Sequence, residues 1–143
     1  MKQEEKELLL QDLSARLPYG VIVETTKGKG HVCDINLTIF GDKIGVNINP
    51  TSRDIFDIEE CKPYLFPLSS MTEEQWNNAP RVNLTNFTFE SLKCGCFTLA
   101  SYTCENDLHD LITFVNWLIK NHFDVNNLIS MGLATNATNL NIY

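Results

Sequence analysis

The sequence has no long hydrophobic run. Leu8-Leu9-Leu10 spans three residues, far short of the ~20 apolar residues that cross a bilayer, so a spanning helix is excluded. It lacks the basic, then apolar opening of an export signal, since MKQEEKELLL carries three glutamates. The expected location is therefore the cytoplasm of the cell that makes it. Positive charge is scarce: 11 Lys and Arg against 18 Asp and Glu give a formal charge of −7. Duplex binding relies on Lys and Arg to neutralise phosphates, so a polybasic nucleic-acid tail is excluded. Glycine (7) and proline (5) are too few for a collagen-like chain. The patterns G-x-x-x-x-G-K-[ST], G-x-G-x-x-G, H-E-x-x-H and G-x-S-x-G are missing. No catalytic residue, no metal ligand and no cofactor is assigned on these grounds, and the expectation is a protein that is not an enzyme.

What is present is ordinary globular material. The chain has 143 residues, 43% hydrophobic and 20% charged, the size of one domain. Residues 4–17 read as an amphipathic helix on Leu9, Leu10, Leu13 and Leu17, stopped by Pro18. From Gly20 the period shortens. Val21-Ile22-Val23 suits a strand, and Thr25 to Gly30 a hairpin loop. Val32, Ile35, Leu37 and Ile39 supply a second strand, with a slip near Asp34 that fits a bulge. Ile44, Val46 and Ile48 alternate cleanly, and Ile55, Phe56 and Ile58 add a short strand. Pro63 and Pro67 exclude a regular helix or central strand over residues 61–68. Thr72 with Gln75 forms a capping box ahead of a short helix over 73–78. Val82, Leu84, Phe87 and Phe89, then Phe97, Leu99 and Tyr102, predict a second hairpin turning near Lys93-Cys94-Gly95-Cys96. Residues 106–121 give the strongest helix, with Leu108, Leu111, Ile112, Val115, Leu118 and Ile119 in one stripe. Asp124 caps a short helix through Met131, and Gly132 fits the left-handed position past its end. The expected fold is α+β over residues 1–134. A twisted antiparallel sheet, able to curl into a small SH3-like barrel, is packed by an N-terminal helix and a C-terminal helix pair. Residues 135–143 are expected to be a loose Asn/Thr-rich tail.

Candidate chemistry is sparse. Five cysteines are an odd number, and each is expected to be a small buried hydrophobe. Cys94, Cys96 and Cys104, with His109 as a fourth ligand, are the alternative zinc set, against the usual C-x₂₋₄-C spacing. A Cys/His catalytic centre is a further alternative without a local signature. His109 and His122 are expected at the helix edges, exposed or capping, and His31 solvated after its glycine turn. Asp107 and Asp110 share a helix face and suit the positive end of a helix dipole more than an acid/base pair. The run Asp54, Asp57, Glu59 and Glu60 reads as a solvated face. The Asn-x-Thr triplets at Asn36, Asn83, Asn86 and Asn136 follow from composition. A nucleic-acid role needs Lys27, Lys29 and Lys43 to gather into a patch. The candidate partner surface is the Pro-rich strap bearing Lys62, Tyr64, Phe66 and Trp76, whose aromatics serve either as interface anchors or as a cover over the sheet.

Three blocks carry a resemblance: LLLQDLSARLPYGVIVE (8–24), IEECKPYLFPLSSMTEEQ (58–75) and VNWLIKNHFDVNNLISMGLA (115–134). In that order the chain resembles a group of small proteins of unknown function carried by phages and prophages of gut bacteria. Lys62-Pro63-Tyr64-Leu65 and Ser69-Ser70-Met71-Thr72-Glu73-Glu74 are the most distinctive segments. Residues 76–114, and the tail from Thr135, fall outside the likeness. The resemblance implies a setting and no chemistry: an accessory protein of a mobile element, acting inside a bacterium. The expected function is binding to a host or phage protein, with no membrane and no nucleic acid as partner.

Overall fold

The computed structural model describes residues 1–38, 41–82, 87–94 and 105–143, the last without the side chains of 105–107. The chain is α+β, and its residues gather into two compact units. Residues 1–65 with 126–143 form the first, and residues 66–125 the second. Each has its own apolar cluster.

In the first unit, helix α1 (Gln3–Arg16) begins where the Glu5 carboxylate accepts from the Lys2 backbone N–H at 2.7 Å. Its buried face is Leu9, Asp12, Leu13 and Arg16, the i, i+3, i+4, i+7 row of one helical stripe. Leu10 and Leu17, expected on that face, are only partly buried. Strands β1 (Ile22–Thr25), β2 (Gly28–Asn36), β3 (Lys43–Asn49) and β4 (Ser52–Asp57) follow as an antiparallel meander. The pairing of β2 with β3 shifts between Val32 and Asp34, at the expected slip. Val21, Val23, Val32, Ile44, Val46, Phe56 and Ile58 meet Leu9 and Leu13 in the core. Cys61 is buried among them, and burial pushes its thiol up to about 12.

Strand β5 (Lys62–Leu65) corrects the reading of Pro63. It lies inside the sheet, antiparallel to β1 and parallel to β6 (Thr135–Asn136). Proline is tolerated because the parallel pairing starts only at Tyr64, one residue beyond it. The strand order is β4-β3-β2-β1-β5-β6. Among the described residues this sheet is open, with β4 and β6 at its edges, and does not close into a barrel.

The C-terminal residues are anchored where a loose tail was expected. The Ala137 N–H donates to the Leu65 carbonyl at 2.8 Å, extending the β6 pairing. Between β1 and β5 the ladder holds at Glu24–Lys62 and Val23–Pro63. At the next pair, Ile22 and Tyr64, the hydroxyl of Tyr143 stands in for the ladder. It accepts from the Ile22 N–H at 3.3 Å and donates to the Tyr64 carbonyl at 2.8 Å. Burial of this hydroxyl pushes it up to about 12, although much of the ring is exposed. An unfolded chain ionises tyrosine near 10 and loses its proton first, so the unfolded state binds fewer protons above that pH. The hydroxyl's contribution is therefore whole below pH 10 and disappears as pH rises toward 12. Tyr143→Phe is expected to cost about 1–2 kcal/mol at neutral pH, from one lost donor and one lost acceptor. Denaturant titrations at pH 7 and pH 11 should show a smaller gap between wild type and variant at the higher pH.

In the second unit, helix α2 (Glu73–Asn78) starts with the expected box: the Gln75 N–H donates to Thr72 Oγ1 at 3.2 Å, and the Thr72 N–H to Gln75 Oε1 at 2.9 Å. Residues 89–94 correct the second hairpin. They form helix α3 (Phe89–Cys94), because Thr88 and Ser91 cap each other reciprocally at 2.8 and 3.2 Å. Residues 83–86 and 95–104, the rest of that expected hairpin, lie outside the described residues. Helix α4 (Glu105–Lys120) ends in paired bonds, from the Phe123 N–H to the Leu118 carbonyl and from the His122 N–H to the Ile119 carbonyl, with His122 at φ 60°. The unit's core is aromatic. Phe114 lies 5.9 Å from Trp76, 5.2 Å from Phe87 and 6.1 Å from Trp117, which stacks on Phe123 at 6.1 Å.

The second member of the expected C-terminal helix pair is not a helix. Residues 128–132 make a single turn that follows Asn127, whose φ of 58° interrupts a helical path. Gly132, at φ 73°, closes the turn with bonds from its own N–H to the Ile129 carbonyl and from the Leu133 N–H to the Leu128 carbonyl.

Candidate functional site

The strap expected to bear the partner surface is divided by the boundary between the two units. Lys62 and Tyr64 belong to the first, Phe66 and Trp76 to the second. Lys62 is exposed, but Tyr64 is buried and its phenol pushed up mainly by that burial. Phe66 is partly covered, with its ring 6.2 Å from Phe123. Trp76 lies 5.7 Å from both Phe87 and Phe89. Tyr64 is thus covered within the first unit, while Phe66 and Trp76 are partly buried against the apolar cluster of the second. A cleft of about 160 Å³ beside Trp76 is lined by Asn77, Ala79, Pro80, Arg81, Val82 and Phe87.

The lysines of the nucleic-acid alternative are mostly matched by carboxylates. Lys27 pairs with Asp54 and stands over the Phe56 ring, 5.7 Å from its centroid. Lys43 pairs with Asp57 at 2.6 Å, while Lys29 is exposed on β2. The acidic run is thus partly spent on partners. Glu59 pairs with Lys6 at 2.5 Å, which lowers the acid and raises the amine. This pair borders a cleft of about 410 Å³ with Gln3, Thr38, Asp42 and Asp57.

Of the thiols, Cys33 is exposed on β2, correcting its expected burial. Its thiol donates to Asp34 at 3.5 Å and is pushed up by partial desolvation first, which leaves it protonated. Cys94 is exposed, with its thiol 3.5 Å from the Ser91 carbonyl. Cys96 and Cys104 lie outside the described residues, as does the side chain of Asp107. Among the described residues no three His, Cys, Asp or Glu side chains converge on a metal position. A ring nitrogen of His31 is 3.3 Å from the Gly20 carbonyl, and His109 is exposed. His122, expected to be exposed or capping, takes the left-handed position that ends α4 and is buried there.

Two surfaces were not singled out by the sequence reading. The first is on α4. Its expected stripe is buried only in part, at Leu118. Phe114 and Leu118 enter the core, with Trp117 packed against it, whereas Leu108 and Ile112 are 52% and 50% exposed. Leu108, Ile112, Val115 and Ile119 form their own row at helical spacing, beside the row that took the core. The signal was available in the sequence, because a helix with apolar residues on two rows needs two covers. The second surface is the outer side of β4, where Ile55 is 59% exposed between Arg53 and Asp57. Arg53 bonds Asp34 through two atoms, at 2.5 and 2.7 Å, across the middle of β3. The guanidinium holds the Asp34 carboxyl below its ordinary range. The pair passes over Gly45, where any side chain would collide with both groups.

Compared with protein-family models, with curated proteins and with solved structures, the chain matches none. No helix among the described residues is long and apolar enough to cross a membrane.

Proposed function

We propose that this is a non-enzymatic accessory protein of a phage or other mobile element, acting inside a bacterium by binding a host or phage protein. The likeness of residues 8–24, 58–75 and 115–134 to phage and prophage proteins supports the setting. The observation that carries the binding role is the row of Leu108 and Ile112 on α4, each about half exposed one helical turn apart. An amphipathic helix offers such a row to an apolar groove, read as i, i+4, i+7 anchors, with Val115 and Ile119 continuing it. The chain's charge of −7 favours a partner whose groove has a basic rim. Matched lysines at 27 and 43 weigh against the nucleic-acid alternative.

The test is capture from lysate of phage-carrying bacteria, wild type beside Leu108→Lys/Ile112→Lys. One specific protein should be retained by the wild type and lost with the double variant, whose tryptophan emission stays native. Retention by both chains would place the binding surface elsewhere.

A further inference from the structure

We propose that β4 is a self-pairing edge, and that the protein forms a two-fold dimer by antiparallel β4–β4 addition in one register. The edge is available. Among the described residues β4 pairs only with β3, and its outer-face residues Arg53, Ile55 and Asp57 are all exposed. Its backbone groups point the right way. The Asp57 N–H is taken by the Glu60 carboxylate at 3.0 Å and so does not serve the β3 ladder. By the alternation of an antiparallel ladder, the N–H and C=O groups of Ile55 also face away from β3, and Arg53 stands where the β3–β4 register shifts between Val46 and Asn49. The Ile55 groups are the donor and acceptor that a further strand would use.

The register follows from charge. Residues opposite each other in adjacent antiparallel strands share a face, so Arg53, Ile55 and Asp57 must meet their own kind of position. Setting Ile55 against the partner copy's Ile55 places Arg53 opposite Asp57 twice, with an apolar pair between two opposite-charge pairs. Slipping by one step toward Arg53 sets Asp54 against its own copy, a like-charge contact. Slipping the other way leaves Arg53 beyond the strand end. One register alone satisfies the whole face, and a two-fold axis through Ile55 generates it. The existing ion pairs extend it. Asp34–Arg53 in one copy would continue into Asp57–Lys43 of the other, giving charges that alternate along the seam. Open edges are ordinarily guarded by charge, and here the guarding charges are mutually complementary.

The interface of one short strand pair falls below the ~1,200 Å² typical of stable complexes, so its dissociation constant is expected on the order of 100 µM. Sedimentation of the full chain from roughly 10 µM to 1 mM should show a monomer–dimer equilibrium. Ile55→Lys, which puts two ammonium groups on the axis, should weaken it by about tenfold or more. If that variant loses its circular dichroism spectrum, Ile55→Thr takes its place. The decisive arm pairs Arg53→Glu with Asp57→Lys. Each alone sets like charges across the seam and should be monomeric, whereas a heterodimer of the two restores both opposite-charge pairs. Association in the mixture and not in either variant alone is the expected result. A wild-type chain that stays monomeric to about 1 mM overturns the proposal, as does dimerisation unchanged by the Ile55 substitution or a mixture that fails to associate.

Discussion

Asp12→Ala is expected to lower stability by about 3–5 kcal/mol, the cost of breaking a buried ion pair from one side. Arg16 is wholly buried and Asp12 is 2% exposed. The guanidinium meets the carboxylate twice, Nε to Oδ2 at 2.7 Å and one terminal nitrogen to Oδ1 at 3.0 Å. Asn126 also donates to Oδ1 at 2.9 Å, which ties α1 to the segment that returns to the first unit. Removing the carboxylate leaves a desolvated cation facing a cavity and strands the Asn126 amide. Replacing both partners is a different experiment. Asp12→Leu with Arg16→Met removes the two charges together, and such exchanges are commonly neutral or stabilising. Urea midpoints of the single and double variants should therefore move far apart. A single variant within about 1 kcal/mol of wild type would show that the pair lies in contact with water.

Phe114→Ala should cost about 3–5 kcal/mol through loss of a large buried ring and the cavity it leaves. Phe114 is 1% exposed and touches the rings of Trp76, Phe87 and Trp117. Both tryptophans of the chain lie in the second unit, so their emission reports that unit alone. The expected signature is red-shifted emission at a denaturant concentration that leaves wild type native. Phe114→Leu, closer in volume, should lose clearly less. Equal losses in the two variants would place the ring outside the packed cluster.

Local signals in the sequence translated well, and long-range ones did not. The Thr72/Gln75 box, the slip at Asp34 and the left-handed Gly132 are decided within a few residues, and each stands where the pattern puts it. Pro63 misled because a missing N–H matters only where a ladder bond is due, and the partner strand begins one residue later. The last residues looked loose because Asn and Thr lack bulk, yet one terminal hydroxyl bridges β1 and β5. A count of apolar residues alone passes over Asp12 and Arg16, although their spacing from Leu9 and Leu13 puts all four on one face. On α4, counting apolar residues found a stripe. It did not reveal that the larger rings of Phe114 and Trp117 on a neighbouring row would take the core, which is the step that exposes the candidate site. The strap was chosen for aromatic content. Aromatics bury as readily as they anchor, and here Tyr64 is buried while Phe66 and Trp76 are partly covered.

The central claim is that the Leu108–Ile112 row on α4 is where a partner protein docks. Calorimetric titration of the captured partner into wild type and into Leu108→Lys/Ile112→Lys measures it most directly. The account predicts binding to wild type with a negative heat-capacity change, the mark of apolar burial, and a loss of at least about 2 kcal/mol of affinity in the double variant. Equal affinity for the two chains would contradict it.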